Sequence, residues 1–190
     1  MTSDRQEMTS VELRGFPPVI DRHVGTLILG SFPSETSLAK SQYYGHPQNQ
    51  FWRLVGRVID APLVAMPYES RIEVLLAHHI GLWDVIGRCE RAGSLDSAIR
   101  NATRNRFRRV TNIAGGLRRV CFNGKSAGGF ETLFAERGYE TFVLPSSSPA
   151  NTTAFPLKLR AWRRALATTG DSGKANTGHR SRVTGHGYQC

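Results

Sequence analysis

A chain of 190 residues with 39% hydrophobic and 9% aromatic content is long enough for one well-filled core and short for two. No apolar run approaches the ~20 residues that span a bilayer, and three scattered cysteines, Cys89, Cys121 and Cys190, argue against a disulfide framework, structural zinc or an iron–sulfur cluster. Lys and Arg outnumber Asp and Glu by 25 to 15, for a net charge of +10, a field that attracts polyanions. The opening segment "MTSDRQEMTSVELRG" has no apolar h-region and does not read as a secretory signal. The composition is that of a reduced, cytosolic protein without a membrane partner.

In chain order, strand and helix patterns alternate. "VGTLILG", residues 24–30, is a short apolar run ending at glycine, as buried parallel strands do. "NQFWRLVGRVIDA" spaces Phe51, Leu54, Val55, Val58 and Ile59 at helical intervals, which predicts an amphipathic helix. "ESRIEVLLAHHI" reads as a second helix, containing His78 and His79, and "GLWDVI" as a strand. "LRRVCFNG" is a third strand, and "KSAGGFETLFAERG" a helix closed by Gly138. "YETFVLP" is the fourth strand and "FPLKLRAWRRALA" the last helix. Such alternation implies an α/β domain, three layers deep, with a central four-stranded parallel sheet.

The basic excess is clustered. "RNATRNRFRR" holds five arginines, Arg100, Arg104, Arg106, Arg108 and Arg109, and no acid, and "KLRAWRR" adds four cations around Trp162. Both are read as nucleic-acid-facing surface, some of the five arginines sharing one face of a helix. After Thr168 the chain is rich in Gly, Ser and Thr and lacks apolar periodicity, as a disordered basic tail does. The expected organisation is a flexible arm at 1–11, one domain at 12–168 and the tail at 169–190.

In an open parallel sheet, ligands gather outside the carboxyl ends of the strands. The loops expected there begin at Gly30, Asp84, Asn123 and Pro145. The first, "GSFPSETSLAKSQYYGHPQNQFW", and the last, "LPSSSPAN", combine proline-fixed turns with serine hydroxyls and backbone N–H groups. Those groups suit phosphate oxygens. No Gly-x-Ser-x-Gly elbow surrounds Ser146, Ser147 and Ser148, so phosphate gripping or minor-groove insertion fits that loop better than serine-hydrolase chemistry.

Taken in order, "LILGSFPS…QYYGHPQNQFW", "GLWDV", "FNGKSA" and "LPSSSPAN" resemble the motifs of the uracil-DNA glycosylase superfamily. The best match is its hypoxanthine-DNA glycosylase branch, also called DNA-deoxyinosine glycosylase. The resemblance spans residues 27–151 and implies a monomeric, monofunctional DNA N-glycosylase without metal or cofactor. Its partner would be double-stranded DNA containing a deaminated base, which it flips from the stack and excises. In mismatch-specific uracil glycosylases an asparagine precedes the first-motif proline; here Phe32 stands there, and the resemblance to the hypoxanthine branch implies that the water-holding role falls to Asn49 of His-Pro-x-Asn. "LPSSSPAN" also lacks the histidine that uracil branches carry.

The resemblance makes Asn49 the catalytic candidate, with a helix N-cap as its competing role. Base-pocket candidates are Phe32 for stacking, Tyr44, Asp84 as an acceptor for N1–H, and Asn123 for O6 or N7. Asp84 is equally suited to a turn cap, Asn123 to an Asn-Gly turn, and Tyr43 and Tyr44 to covering the sheet edge. Candidate DNA-backbone contacts are Ser31, Ser34, His46, Lys125 and Ser146 to Ser148, His46 being equally suited to packing its loop. His78–His79 is read as structural, and Cys89 and Cys121 as buried thiols. Activity on uracil or mismatches, or a non-enzymatic single-strand binder, are the alternatives.

Overall fold

The computed structural model describes residues 12–167, so the expectations for the N-terminal arm and the basic tail lie outside the described residues. The elements are β1 (Glu12–Arg14), β2 (Thr26–Gly30), α1 (Glu35–Lys40), α2 (Phe51–Ile59), α3 (Tyr68–Ala77), β3 (Ile80–Asp84), β4 (Ile86–Glu90), β5 (Arg100–Arg104), α4 (Arg108–Ile113), β6 (Arg119–Asn123), α5 (Lys125–Gly128), α6 (Glu131–Ala135), β7 (Glu140–Leu144) and α7 (Phe155–Leu166).

Four strands form a parallel sheet in the order β3-β2-β6-β7. The expected parallel sheet is therefore present, and its alternating side chains divide the core in two. Leu27, Leu29, Trp83, Val120 and Phe122 face a cluster shared with α4, α5 and α6 through Val110, Ala127 and Phe134. Ile28, Leu82 and Cys121 face the opposite cluster, filled by Phe51, Leu54 and Val55 of α2, Leu75 of α3 and Trp162 of α7. Both faces are covered by helices, which is why these strands read as continuous apolar runs. Cys89 and Cys121 are buried free thiols.

Three features depart from the sequence reading. First, β1, β4 and β5 form a small antiparallel sheet that the pattern did not announce. All five residues of β5 are exposed, so its sequence carries no alternation to detect, and Arg100 and Arg104 lie on a strand rather than a helix. Second, the helix expected over 125–138 is broken into α5 and α6 around Gly129 and Phe130. Third, the "KLRAWRR" cluster turns partly inward. Lys158 and Trp162 are fully buried, with Lys158 Nζ donating to Asn151 O at 2.9 Å and Trp162 Nε1 to Pro145 O at 3.0 Å. Those two bonds fasten α7 beneath the serine loop, leaving Arg160, Arg163 and Arg164 of the cluster on the surface.

Candidate active site at the carboxyl ends of the parallel strands

The strand ends converge on a cavity of about 350 Å³, within the size range of small-ligand sites. The loop after β2 supplies one wall, the ends of β3 and β6 the floor, and the loop after β7 the opposite wall. Of the twelve residues singled out from sequence, all but one line it: Ser31, Phe32, Ser34, Tyr44, Asn49, Asp84, Asn123, Lys125, Ser146, Ser147 and Ser148. The exception is His46. Its Nδ1 accepts from Gln48 N at 3.2 Å, so it braces the loop outside the cavity. His78 and His79 lie beyond α3, not within it, and line a separate groove at the amino ends of the strands.

The register of the sheet seats Asp84. Gly30 of β2 pairs with Asp84 of β3, and a Cβ on Gly30 would lie 2.4 Å from Asp84 Oδ1 and 3.2 Å from the Tyr44 hydroxyl. Only glycine leaves that space. Asp84 is 4% exposed, and its buried Oδ2 has no hydrogen-bond partner. Burial, joined by the negative charge of Asp96, pushes the Asp84 carboxyl up to about 7, against an opposing pull from Arg91. A group so placed switches between a neutral acid and an acceptor-only carboxylate near neutral pH.

Asn123 ends β6 and is held by the serine loop. Its Oδ1 accepts from Ser147 N at 2.8 Å and its Nδ2 donates to Ser147 Oγ at 2.8 Å. The backbone N–H fixes which end of the amide is oxygen, and one Nδ2 hydrogen is left over. The Asn123–Gly124 turn, with Gly124 at φ 100°, accompanies this role rather than replacing it. Ser147 itself is fully buried. Its hydroxyl is a strut for Asn123, which corrects the expectation of an open phosphate contact or an inserted tip at that position.

Asn49 stands where α2 begins. Its Oδ1 accepts from Phe51 N at 3.0 Å, so the helix-capping role is present, with Gln50 as the formal cap residue. An amide oxygen has two lone pairs, and the same atom retains one for a water. The next residue ties the two walls together, Gln50 N donating to Ser147 O at 2.9 Å.

The aromatic residues differ from each other. Phe32 is buried, with the Arg91 guanidinium carbon over its ring at 5.1 Å. Tyr44 takes a left-handed φ of 54° and stacks on Phe51 at 3.8 Å and 11°. Burial, with Asp84 close by, pushes the Tyr44 phenol well above its ordinary range. The Asn123 amide lies beside that hydroxyl, yet the hydroxyl has no partner of good hydrogen-bond geometry. Tyr43 belongs to the core and donates to Pro17 O at 3.2 Å.

Sequence reasoning missed one wall segment, Ser94, Leu95 and Asp96, which comes from the turn between β4 and β5. Ser31 Oγ donates to Asp96 Oδ1 at 2.7 Å, linking this turn to the first motif loop. The only signal available was position, because the segment lies a short way beyond Asp84, after the intervening strand β4. Among the described residues no cluster of three or more His, Cys, Asp or Glu could hold a metal ion, and no helix is long and apolar enough to cross a membrane.

A parallel sheet of this order, with a cavity of polar and aromatic residues at its carboxyl edge, has the layout of an open α/β ligand-binding domain. The chain belongs to the uracil DNA glycosylase superfamily, whose family model matches residues 17–168, as the motif resemblance implied. Two relatives carry the name hypoxanthine DNA glycosylase. The one from Methanosarcina barkeri is 43% identical over 153 residues, covering 80% of this chain and 97% of that protein. The one from Methanosarcina acetivorans is 50% identical over 138 residues, covering 73% and 87%. The solution NMR structure of a Methanosarcina acetivorans protein assigned to the uracil DNA glycosylases is similar at a TM-score of 0.75 and 45% identity, covering 82% of this chain and 97% of that one.

Proposed function

We propose that this protein excises hypoxanthine from deoxyinosine in double-stranded DNA, as a monomeric, cytoplasmic enzyme built on one domain from residue 12 to 168 and needing no cofactor. The observation that carries the reading is the unpartnered Oδ2 of Asp84 in the cavity, set with the spare Nδ2 hydrogen of Asn123. Hypoxanthine presents an acceptor at O6 beside a donor at N1–H. A carboxylate at Asp84 takes the N1 hydrogen and Asn123 donates to O6. Adenine reverses both, offering a donor at N6 and a lone pair at N1, and would leave buried polar groups facing like groups.

The flipped base enters between the two motif loops, beside Phe32 and Tyr44. Asn49 holds a water beneath C1′ through the lone pair that the α2 cap leaves free. The water oxygen bonds to C1′, and the C1′–N9 bond breaks with its electron pair leaving on the base. The water proton ends on the released hypoxanthine. Positioning is the main contribution of Asn49, because an amide does not take up a proton at neutral pH. Ser31, Ser34, Lys125, Ser146 and Ser148 remain the candidates for backbone contacts at the rim.

Uracil offers the same acceptor–donor edge at O4 and N3–H, so the names of the relatives favour the purine. The test is single-turnover excision on duplexes with hypoxanthine, uracil, xanthine or ethenocytosine, with Asn49→Ala and Asn49→Asp beside the wild type. Asn49→Ala is expected to bind DNA nearly as well and to excise on the order of 100-fold more slowly, the effect of ~2.7 kcal/mol of lost positioning. Asn49→Asp is expected to retain part of the rate. An alanine variant cutting at the wild-type rate would reduce Asn49 to a cap.

A further inference from the structure

We infer that Arg91 is a positioning residue for excision: from behind the first motif loop it holds the Phe32–Pro33 turn and supplies a positive charge to Asp84. The inference rests on the reading of Asp84 as the acceptor for the flipped base and deepens it. Arg91 follows β4 and is not among the residues that line the cavity. Its guanidinium is tucked against the loop after β2. Nη2 donates to Pro33 O, and the guanidinium carbon sits over the Phe32 ring at 5.1 Å. The other two nitrogens, Nε and Nη1, are buried without a hydrogen-bond partner. Among the described residues Arg91 forms no ion pair.

Sinking a cation without a counter-ion costs stability, and one backbone carbonyl is a small return for it. What the position offers is charge. Asp96, from the turn between β4 and β5, pushes the Asp84 carboxyl up together with burial, and Arg91 opposes both. Tyr43 and Tyr44 approach from the loop after β2 with phenols that burial keeps neutral. Lys125 of α5 also lines the cavity, but it is exposed and its charge is screened. A direct ion pair with Asp84 would occupy the oxygen that the base needs. A cation set behind the cavity wall favours the carboxylate and leaves Oδ2 open. The need grows during the reaction. As the C1′–N9 bond breaks, its electron pair passes to the base while Asp84 still holds N1–H, so two negative groups meet with Asp96 nearby. A guanidinium already fastened to Pro33 offsets that charge without reorganising.

The test compares the full-length wild type with Arg91→Gln and Arg91→Met, which remove the charge, and Arg91→Lys, which keeps it. Single-turnover excision from a deoxyinosine duplex is followed against pH, and the Asp84 carboxyl of the free protein is titrated by carbon NMR. Losing a cation disfavours the carboxylate. In the neutral variants the midpoint of both curves is therefore expected to rise from about 7 by about one pH unit, slowing excision at about pH 7 roughly fivefold. Arg91→Lys should keep a midpoint close to the wild type. Duplex affinity should hold in all three, because buried donors reach no phosphate. Equal midpoints in the neutral and lysine variants would overturn the role, as would a uniform loss of duplex binding with an unchanged pH profile. A midpoint that moves by NMR but not in the rate curve would overturn it as well. A wild type that releases no hypoxanthine, while Arg91→Gln still moves the Asp84 midpoint, would overturn the proposed chemistry and leave the action of Arg91 on Asp84 standing.

Discussion

The Asp84 carboxyl gives the sharpest quantitative test of the site, through stability as well as activity. Its pKa in the fold is about 7, raised from 3.8, so between those values the native state holds a proton that the unfolded chain has released. The stabilisation is complete below the lower value and is lost as pH rises through the upper one. At about 1.36 kcal/mol per pKa unit the whole interval is worth about 4 kcal/mol. Between pH 5 and pH 8, about 2 to 3 kcal/mol of this disappears. Asp84→Asn removes the titration, whatever fixed difference its amide introduces. Urea unfolding of both proteins at pH 5 and pH 8 should therefore show the wild type losing about that much relative to the variant. A constant gap across this range, or a wild type that gains on the variant towards pH 8, would refute the burial argument and with it the switchable acceptor.

Three further outcomes follow from the same geometry. Gly30→Ala should displace the Asp84 carboxylate, because the new Cβ meets Oδ1 at 2.4 Å; about 1–3 kcal/mol of stability and most excision activity should be lost, as read by urea unfolding and single-turnover cleavage. Hypoxanthine excision by the wild type should increase as pH rises through about 7 and this step should vanish in Asp84→Asn, where an acceptor-only carboxylate is never formed. Arg106, Arg108 and Arg109 are exposed and form no ion pair with the described residues; replacing all three by glutamine should weaken binding to every duplex alike and reduce the salt slope by about one for each phosphate no longer neutralised.

What the sequence disclosed and what it hid have physical causes. β2 and β6 are buried on both faces, so "TLILG" and "RVCFN" announce themselves by apolar content and by stopping where a ligand loop starts. The bounds of α2, Phe51–Ile59, follow its apolar face. The small sheet was hidden because "ELR" and "RNATR" are short and solvent-facing, and an arginine-rich edge reads like a basic helix. Asp84 and Asn123 were legible as strand-end residues. Their states were not: the raised Asp84 pKa comes first from burial in the assembled cavity, with Asp96 from a distant turn adding to it, and the Asn123 orientation needs a backbone N–H from the serine loop. Lys158 shows the converse, a surface charge by composition that is buried in the fold.

The cavity works as a unit because each recognition group is set by a residue from another element. Gly30 on β2 makes room for Asp84 on β3 through their shared register. Ser147, after β7, orients Asn123 on β6 through two hydrogen bonds and receives a third, at its carbonyl, from Gln50. Gln50 is the neighbour of Asn49, so the proposed base reader and the proposed water holder meet at one buried serine. A shift of the Ser147 backbone would therefore move both at once. Ser147→Ala keeps the backbone N–H and carbonyl and deletes only the hydroxyl that receives Nδ2, leaving the Asn123 amide free to rotate about its remaining bond. On this geometry base discrimination is more sensitive to that deletion than water placement, because the link to Gln50 runs through main-chain atoms that the substitution leaves intact.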